Sequence, residues 1–191
     1  MSAVSRMEGT SEPPDGDLVT RFRGGDLAAF ESLVERYEGA LLRFARATLR
    51  NAAAAEDAVQ ETLLRLAKSP PDPAGNGAIG AWLFRVCRNL AYDNMKSEQR
   101  ERQRREKVSR DEIDITAEHP AETREMHALV GRELERLPAK QREVLRLKVQ
   151  EGLSYAQIAE VTGLKSGYIG WLVHTGMNAL TDRLRAAGLL A

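Results

Sequence analysis

Cysteine, aromatic side chains and long apolar runs are all scarce in this chain, and each scarcity excludes something. The one cysteine, Cys87, cannot close an internal disulfide, and the histidines His119, His127 and His174 lack the spacing of metal ligands. A disulfide-stapled secreted module and a structural zinc are thereby excluded, and no metal or cofactor is expected. Aromatic residues amount to 5% of the chain, while Ala, Leu, Arg and Glu dominate. Strands need more aromatic and β-branched residues than this, so an all-β fold is excluded and an all-α one expected. No apolar run approaches the roughly 20 residues of a membrane span, and Met1–Gly16 lacks the charged start and apolar core of a signal peptide. The expectation is a cytoplasmic chain without a membrane span.

Net charge is absent too, but only on average: 28 basic residues balance 28 acidic ones. Residues 85–110 hold nine Lys and Arg against four Asp and Glu, whereas residues 111–137 hold three against eight. A basic block is followed directly by an acidic one. The length, 191 residues, suits one compact domain or two small ones of roughly 70–90 residues each.

What is present is helical periodicity in two blocks. Residues 1–16 are polar, contain Pro13-Pro14 and Gly16, and are expected to be disordered. From Asp17 a short helix leads to Gly24-Gly25, and Asp26 can cap a long amphipathic helix through Phe30, Leu33, Val34, Tyr37, Leu41, Phe44 and Leu49. A third helix is predicted over 54–68, then a Pro/Gly-rich loop, then a fourth helix from about Ala78 to beyond Arg105. Periodicity fails over 107–122, which reads as a linker. Beyond it, Pro138 is placed in the first turn of a helix running to Gly152, Ser154 caps a short helix to Thr162, and a last helix runs over 166–186.

Three faces could carry function. On the third helix, Val59, Thr62, Leu63 and Leu66 fall on one side and Asp57, Gln60, Glu61 and Leu64 on the other. The second side is either a solvated polar stripe or a docking surface with Leu64 at its apolar centre. On the fourth helix, Arg85, Arg88, Asn89, Tyr92 and Lys96 share about a quarter of the circumference. Cations at one-turn spacing can track phosphates, an amide can read a base edge, and a tyrosine can stack on an unpaired base. An ordinary Arg-rich surface helix is the alternative. Cys87 lies on the packed side without a base beside it, as a buried thiol would.

The third signal is a helix-turn-helix within residues 153–172. Ala159 is the small residue where two helices touch, Gly163 supplies the turn, and Ile158, Leu164, Ile169 and Val173 lock the pair.

Taken together, Ala55-Glu-Asp-Ala-Val-Gln-Glu-Thr-Leu63, Ala81-Trp-Leu-Phe-Arg-Val-Cys-Arg-Asn-Leu-Ala-Tyr-Asp93 and Leu137-Pro-Ala-Lys-Gln-Arg-Glu-Val-Leu145 leading into Leu153-Ser-Tyr-Ala-Gln-Ile-Ala159 resemble the extracytoplasmic-function RNA polymerase sigma factors. The resemblance implies two helical domains, 17–106 (region 2) and 123–187 (region 4), joined by the linker. It implies that Asp57, Gln60, Glu61 and Leu64 bind core RNA polymerase and that Arg85, Arg88, Asn89, Tyr92 and Lys96 read and melt the −10 promoter element. Promoter DNA and core polymerase are the expected partners, an anti-sigma protein a further one, and no catalysis is expected.

The last helix departs from the pattern. Where the family carries basic residues toward the −35 element, this chain has Gly170, Leu172, Thr175, Met177 and Thr181. Fewer phosphate contacts mean weaker, less salt-dependent binding. Either Lys165, Ser166, Tyr168 and His174 read −35 DNA weakly, or Trp171 and Leu172 form an exposed apolar patch for a protein contact. The second case would make the chain a helix-turn-helix regulator acting mainly through proteins.

Overall fold

Capping side chains set where the second and third helices begin. The computed structural model describes residues 12–49, 51–72, 79–105 and 129–188, with no strand among the described residues. Helix α1 spans Asp15–Arg23, α2 Leu27–Thr48, α3 Ala52–Lys68 and α4 Ile79–Arg105. In the second half α5 covers residues 129–135, α6 Ala139–Leu145, α7 Tyr155–Thr162 and α8 Ser166–Ala186. The Asp26 carboxylate accepts from the Ala29 N–H at 3.3 Å, and the Asn51 amide oxygen from that of Ala54 at 3.2 Å, each satisfying a donor that a helix start leaves unpaired.

Three expectations are corrected. The first helix begins at Asp15, inside the stretch expected to be disordered, because the Asp15 carboxylate is held by Arg36 and Tyr37 of α2. Pro138 caps α6 from outside instead of lying in its first turn. The α-helix expected to run to Gly152 ends at Leu145 and continues as a wider turn over Arg146–Gln150, where the Glu151 N–H reaches the Arg146 carbonyl at 3.2 Å. Residues 1–11 and the expected linker over 107–122 lie outside the described residues.

Helices α1 to α4 bury one face each around Leu18, Leu33, Leu41, Phe44, Leu66, Leu83 and Phe84. Phe44 and Phe84 meet edge to face, with ring centroids 5.6 Å apart. Gly80 lets α4 approach α2, since a Cβ there would sit 3.0 Å from the Tyr37 ring. In the second half, Val144, Leu147, Ile158, Ile169 and Leu172 close the core of α6, α7 and α8, and α8 comes close to α6 at Gly176, against Leu145. A fully buried side chain of this kind contributes about 1.5–3 kcal/mol. The fold is all-α, as expected, but the two helical blocks do not stand apart. Helix α7 packs on α4, and Val144, Leu147, Leu153, Ile158 and Val161 belong to the same continuous core as the first four helices.

Candidate nucleic-acid interface

Helix α3 turns Ala55, Ala58, Val59, Thr62 and Leu66 inward, which forces its other side outward. Asp57, Gln60 and Leu64 are exposed there, and Glu61 is half-buried. Leu64 keeps 50% of its surface in water, a cost that a covering partner would relieve. Glu61 accepts from Arg65 one turn on at 2.9 Å, while Asp57 and Gln60 have no side-chain partner among the described residues. All four expected docking residues therefore share one accessible patch.

On α4 the inward residues are Ala81, Leu83, Phe84, Cys87 and Ala91. Burial pushes the Cys87 thiol up to about 12, with a contact to Thr62 working the other way, so at neutral pH it is an inert core residue. The outward stripe is present, but its residues differ in availability. Asn89 and Lys96 are exposed, and Lys96 has only a 3.9 Å approach to Asp93. Arg88 lies over the Tyr92 ring at 4.5 Å from its centroid and donates twice to Glu143 of α6, at 2.6 and 3.3 Å. Burial alone would lower the Arg88 pKa, but the Glu143 carboxylate more than offsets this and raises it. Burial first, and Glu143 second, push Tyr92 up as well. Arg85 pairs with Glu160 of α7 at 3.5 Å. Two of the three cations expected to be free for phosphate are thus held by the second block.

The helix-turn-helix forms as expected. Ser154 accepts from the Gln157 N–H at 3.2 Å while Gln157 accepts from the Ser154 N–H at 2.8 Å, a reciprocal cap that fixes the start of α7. Gly163 then takes φ +73° and its N–H closes on the Ala159 carbonyl at 2.8 Å, ending α7 so that α8 can depart. Ile158 and Ile169 are fully buried between the two helices. Lys165, Ser166, Tyr168 and His174 are all exposed along α8, His174 lying 3.3 Å from Asn178.

The expected patch of Trp171 and Leu172 is corrected. Leu172 is 2% exposed and belongs to the core, whereas Trp171 is 54% exposed and stacks on Tyr168 at 5.6 Å with the rings 11° apart. Consecutive residues on a helix are 100° apart, so the two cannot share a face with equal exposure. Thr175 is half-buried and its hydroxyl accepts from Gln141 of α6 at 3.1 Å. Tyr155, to which the sequence assigned no role, is exposed beside Gly170 and extends the aromatic surface, with the Lys148 ammonium 5.4 Å from its ring. Among the described residues no group of His, Cys, Asp or Glu could hold a metal ion, and no helix is long and apolar enough to cross a membrane.

Comparison with known proteins agrees with this geometry. Residues 33–101 match the family model for Sigma-70 region 2, and residues 127–170 match that for Sigma-70, region 4. The ECF RNA polymerase sigma factor SigL of Mycobacterium tuberculosis is 33% identical over 178 residues, covering 90% of this chain and 97% of SigL. The ECF RNA polymerase sigma factor BldN of Streptomyces coelicolor is 29% identical over 171 residues, which cover 88% of this chain and 65% of BldN. Among solved structures, RpoE of Bartonella quintana, in complex with the anti-sigma factor NepR, superposes with a TM-score of 0.68 at 30% identity, covering 82% of this chain and 96% of RpoE. CnrH, in complex with the cytosolic domain of CnrY, gives 0.65 at 25% identity over 90% of this chain and 97% of CnrH. Two ordered region matches and the 33% identity to SigL over nearly its whole length lead to one conclusion: the chain belongs to the extracytoplasmic-function RNA polymerase sigma factors, which direct promoter-specific initiation of transcription.

Proposed function

We propose that the faces described above divide that task among them. Residues 17–106 act as the region 2 unit, which docks on core polymerase through Asp57, Gln60, Glu61 and Leu64. The same unit reads and opens the −10 element through Arg85, Arg88, Asn89, Tyr92 and Lys96. Residues 123–187 act as the region 4 unit, with Lys165, Ser166, Tyr168 and His174 toward the −35 element. The observation that carries this reading is α4, where cations, an exposed amide and an aromatic ring recur at one-turn spacing inside the stretch matched by region 2. The chain itself is non-catalytic and works in the cytoplasm, where core polymerase and DNA are found. An anti-sigma protein is a further partner, since RpoE was solved bound to one.

A second reading draws on α8. Its exposed surface is aromatic at Tyr168 and Trp171 and basic only at its two ends, at Lys165 and, more distally, at Arg183 and Arg185, which favours a protein contact in place of strong −35 binding. Run-off transcription from genomic fragments with core polymerase and the purified chain tests the first reading. Discrete transcripts that depend on the added chain are expected. Core binding without specific transcripts would favour the second.

A further inference from the structure

We infer that Trp171, held by Tyr168, is a specificity-determining residue of α8 that meets the 5-methyl group of a thymine in the −35 duplex, so that this chain selects thymine there by apolar contact instead of by charge. The inference deepens the reading of Lys165, Ser166, Tyr168 and His174 as a −35 surface and rests on it. Packing fixes which way the ring points. Ile169, Leu172 and Gly176 face the core, while Gly167, Trp171, His174 and Asn178 follow one another at spacings of four, three and four along the opposite side, all exposed. Trp171 thus stands near the middle of the outermost face, the one that the second helix of a helix-turn-helix offers to the major groove.

Three features suit the ring to a base edge. Tyr168 lies one turn before Trp171 and stacks on it at 5.6 Å with 11° between the planes, which holds the indole in place before DNA arrives and lessens the rotamer freedom that binding would remove. Glycines stand beside the ring: Gly167 one turn earlier, where a Cβ would meet nothing within 4 Å, and Gly170, where a Cβ would have only the Tyr155 ring near it, at 3.6 Å. The helix is therefore slim where its exposed side chain is largest, which leaves room for an indole in a groove about 12 Å wide. The indole N–H has no acceptor among the described residues, so the ring also offers an unused donor beside its apolar edge.

Charge decides between a duplex and a protein as the occupant of this face. From Lys165 to Thr181 the chain contains no Asp or Glu. Cations stand at both ends of α8, Lys165 before it and Arg183 and Arg185 in its last turn, and the Lys148 ammonium lies 5.4 Å from the Tyr155 ring that borders Gly170. No carboxylate of this stretch repels phosphate, and the exposed Ser166, His174 and Asn178 around the rings carry hydrogen-bonding groups. A carboxylate-free face with two rings at its centre fits a polyanion that displays apolar groups on its groove floor. Among the four bases only thymine displays one there, its 5-methyl group. With cations confined to the helix ends, selectivity comes from the base edge, and affinity falls only shallowly as salt rises.

The test uses the full-length chain assembled with core polymerase and a promoter fragment that this holoenzyme transcribes, with the bases around −35 randomised. Bound duplexes are sequenced for wild type and for Trp171→Ala. The preferred −35 sequence is then remade with each thymine in turn replaced by deoxyuridine, which lacks only the 5-methyl group. Wild type is expected to prefer thymine at one position or at two neighbouring ones. Deoxyuridine there should lower wild-type affinity by about fourfold, the effect of one buried methyl group, and leave Trp171→Ala unaffected. Trp171→Phe, which keeps an apolar ring, should retain part of the methyl sensitivity. A −35 preference without thymine, or a deoxyuridine effect equal in wild type and Trp171→Ala, overturns the inference and leaves the −35 surface standing. Indifference of wild type to every base around −35 overturns both together. Weaker binding of Trp171→Ala to core polymerase in the absence of DNA would show that the ring meets protein, and it too overturns the inference.

Discussion

Trp171 and Leu172 show how much one helical step decides. Leu172 follows Ile169 by three residues and precedes Gly176 by four, the spacing of the packed face of α8, and it is buried with them. Trp171 lies 100° away and keeps more than half its surface in water. Leu172→Ala is accordingly expected to cost about 2–5 kcal/mol and to lower the melting temperature by several degrees, whereas Trp171→Ala should change stability by less than about 0.5 kcal/mol. Thermal melts of the two variants check this, and equal destabilisation would show that Trp171 is covered after all. The burial of Leu172 was legible in that spacing. The expectation of a shared patch arose instead from matching Leu172 to a position that is basic in the family and grouping its apolar neighbour Trp171 with it, a comparison that carries no information about which way a side chain points. Cys87 was read correctly because its neighbours Leu83, Leu90 and Ala91 put it inside a broad apolar arc.

At the scale of elements, the helix-turn-helix was the most legible part of the chain because its signals are local. Ser154 and Gln157 cap one another across three residues, and Gly163 ends α7 in a left-handed conformation that other residues enter at a cost. Gly163→Ala is expected to destabilise the second domain by about 1–2 kcal/mol, visible as a lower urea midpoint with an unchanged slope. A neutral effect would mean the turn can rearrange without loss. The end of α6 was not legible. Nothing local in Arg146-Leu-Lys-Val-Gln150 stops an α-helix, and the turn widens where Arg146 is drawn to Glu135 and to the Ala47 carbonyl, partners 11 and 99 residues away. Gly176 is similar: a mid-helix glycine reads only as a weakness until Leu145 is seen 3.0 Å from where its Cβ would be.

At the scale of the whole molecule, the outward faces of α3 and α4 were readable from periodicity, but their availability was not. Arg88 and Glu143 are 55 residues apart and Arg43 and Glu151 are 108 apart, so no window of sequence contains both partners. The α3 patch remains open. Asp57→Ala combined with Glu61→Ala is expected to weaken core-polymerase binding by tenfold or more with helicity unchanged, since close interfacial charge pairs are worth about 1.5–7 kcal/mol. Undiminished co-purification with core would remove the docking role from this face. The central claim, that α4 reads the −10 element, is tested most directly by transcription with holoenzyme from a promoter library randomised at −10. Wild type, Arg88→Ala and Asn89→Ala are compared base by base. The account predicts that Arg88→Ala lowers output from all sequences alike, because it loses a phosphate contact, while Asn89→Ala keeps output high but relaxes the preference at one position, because it loses a base edge. Base preferences identical in all three proteins would contradict it.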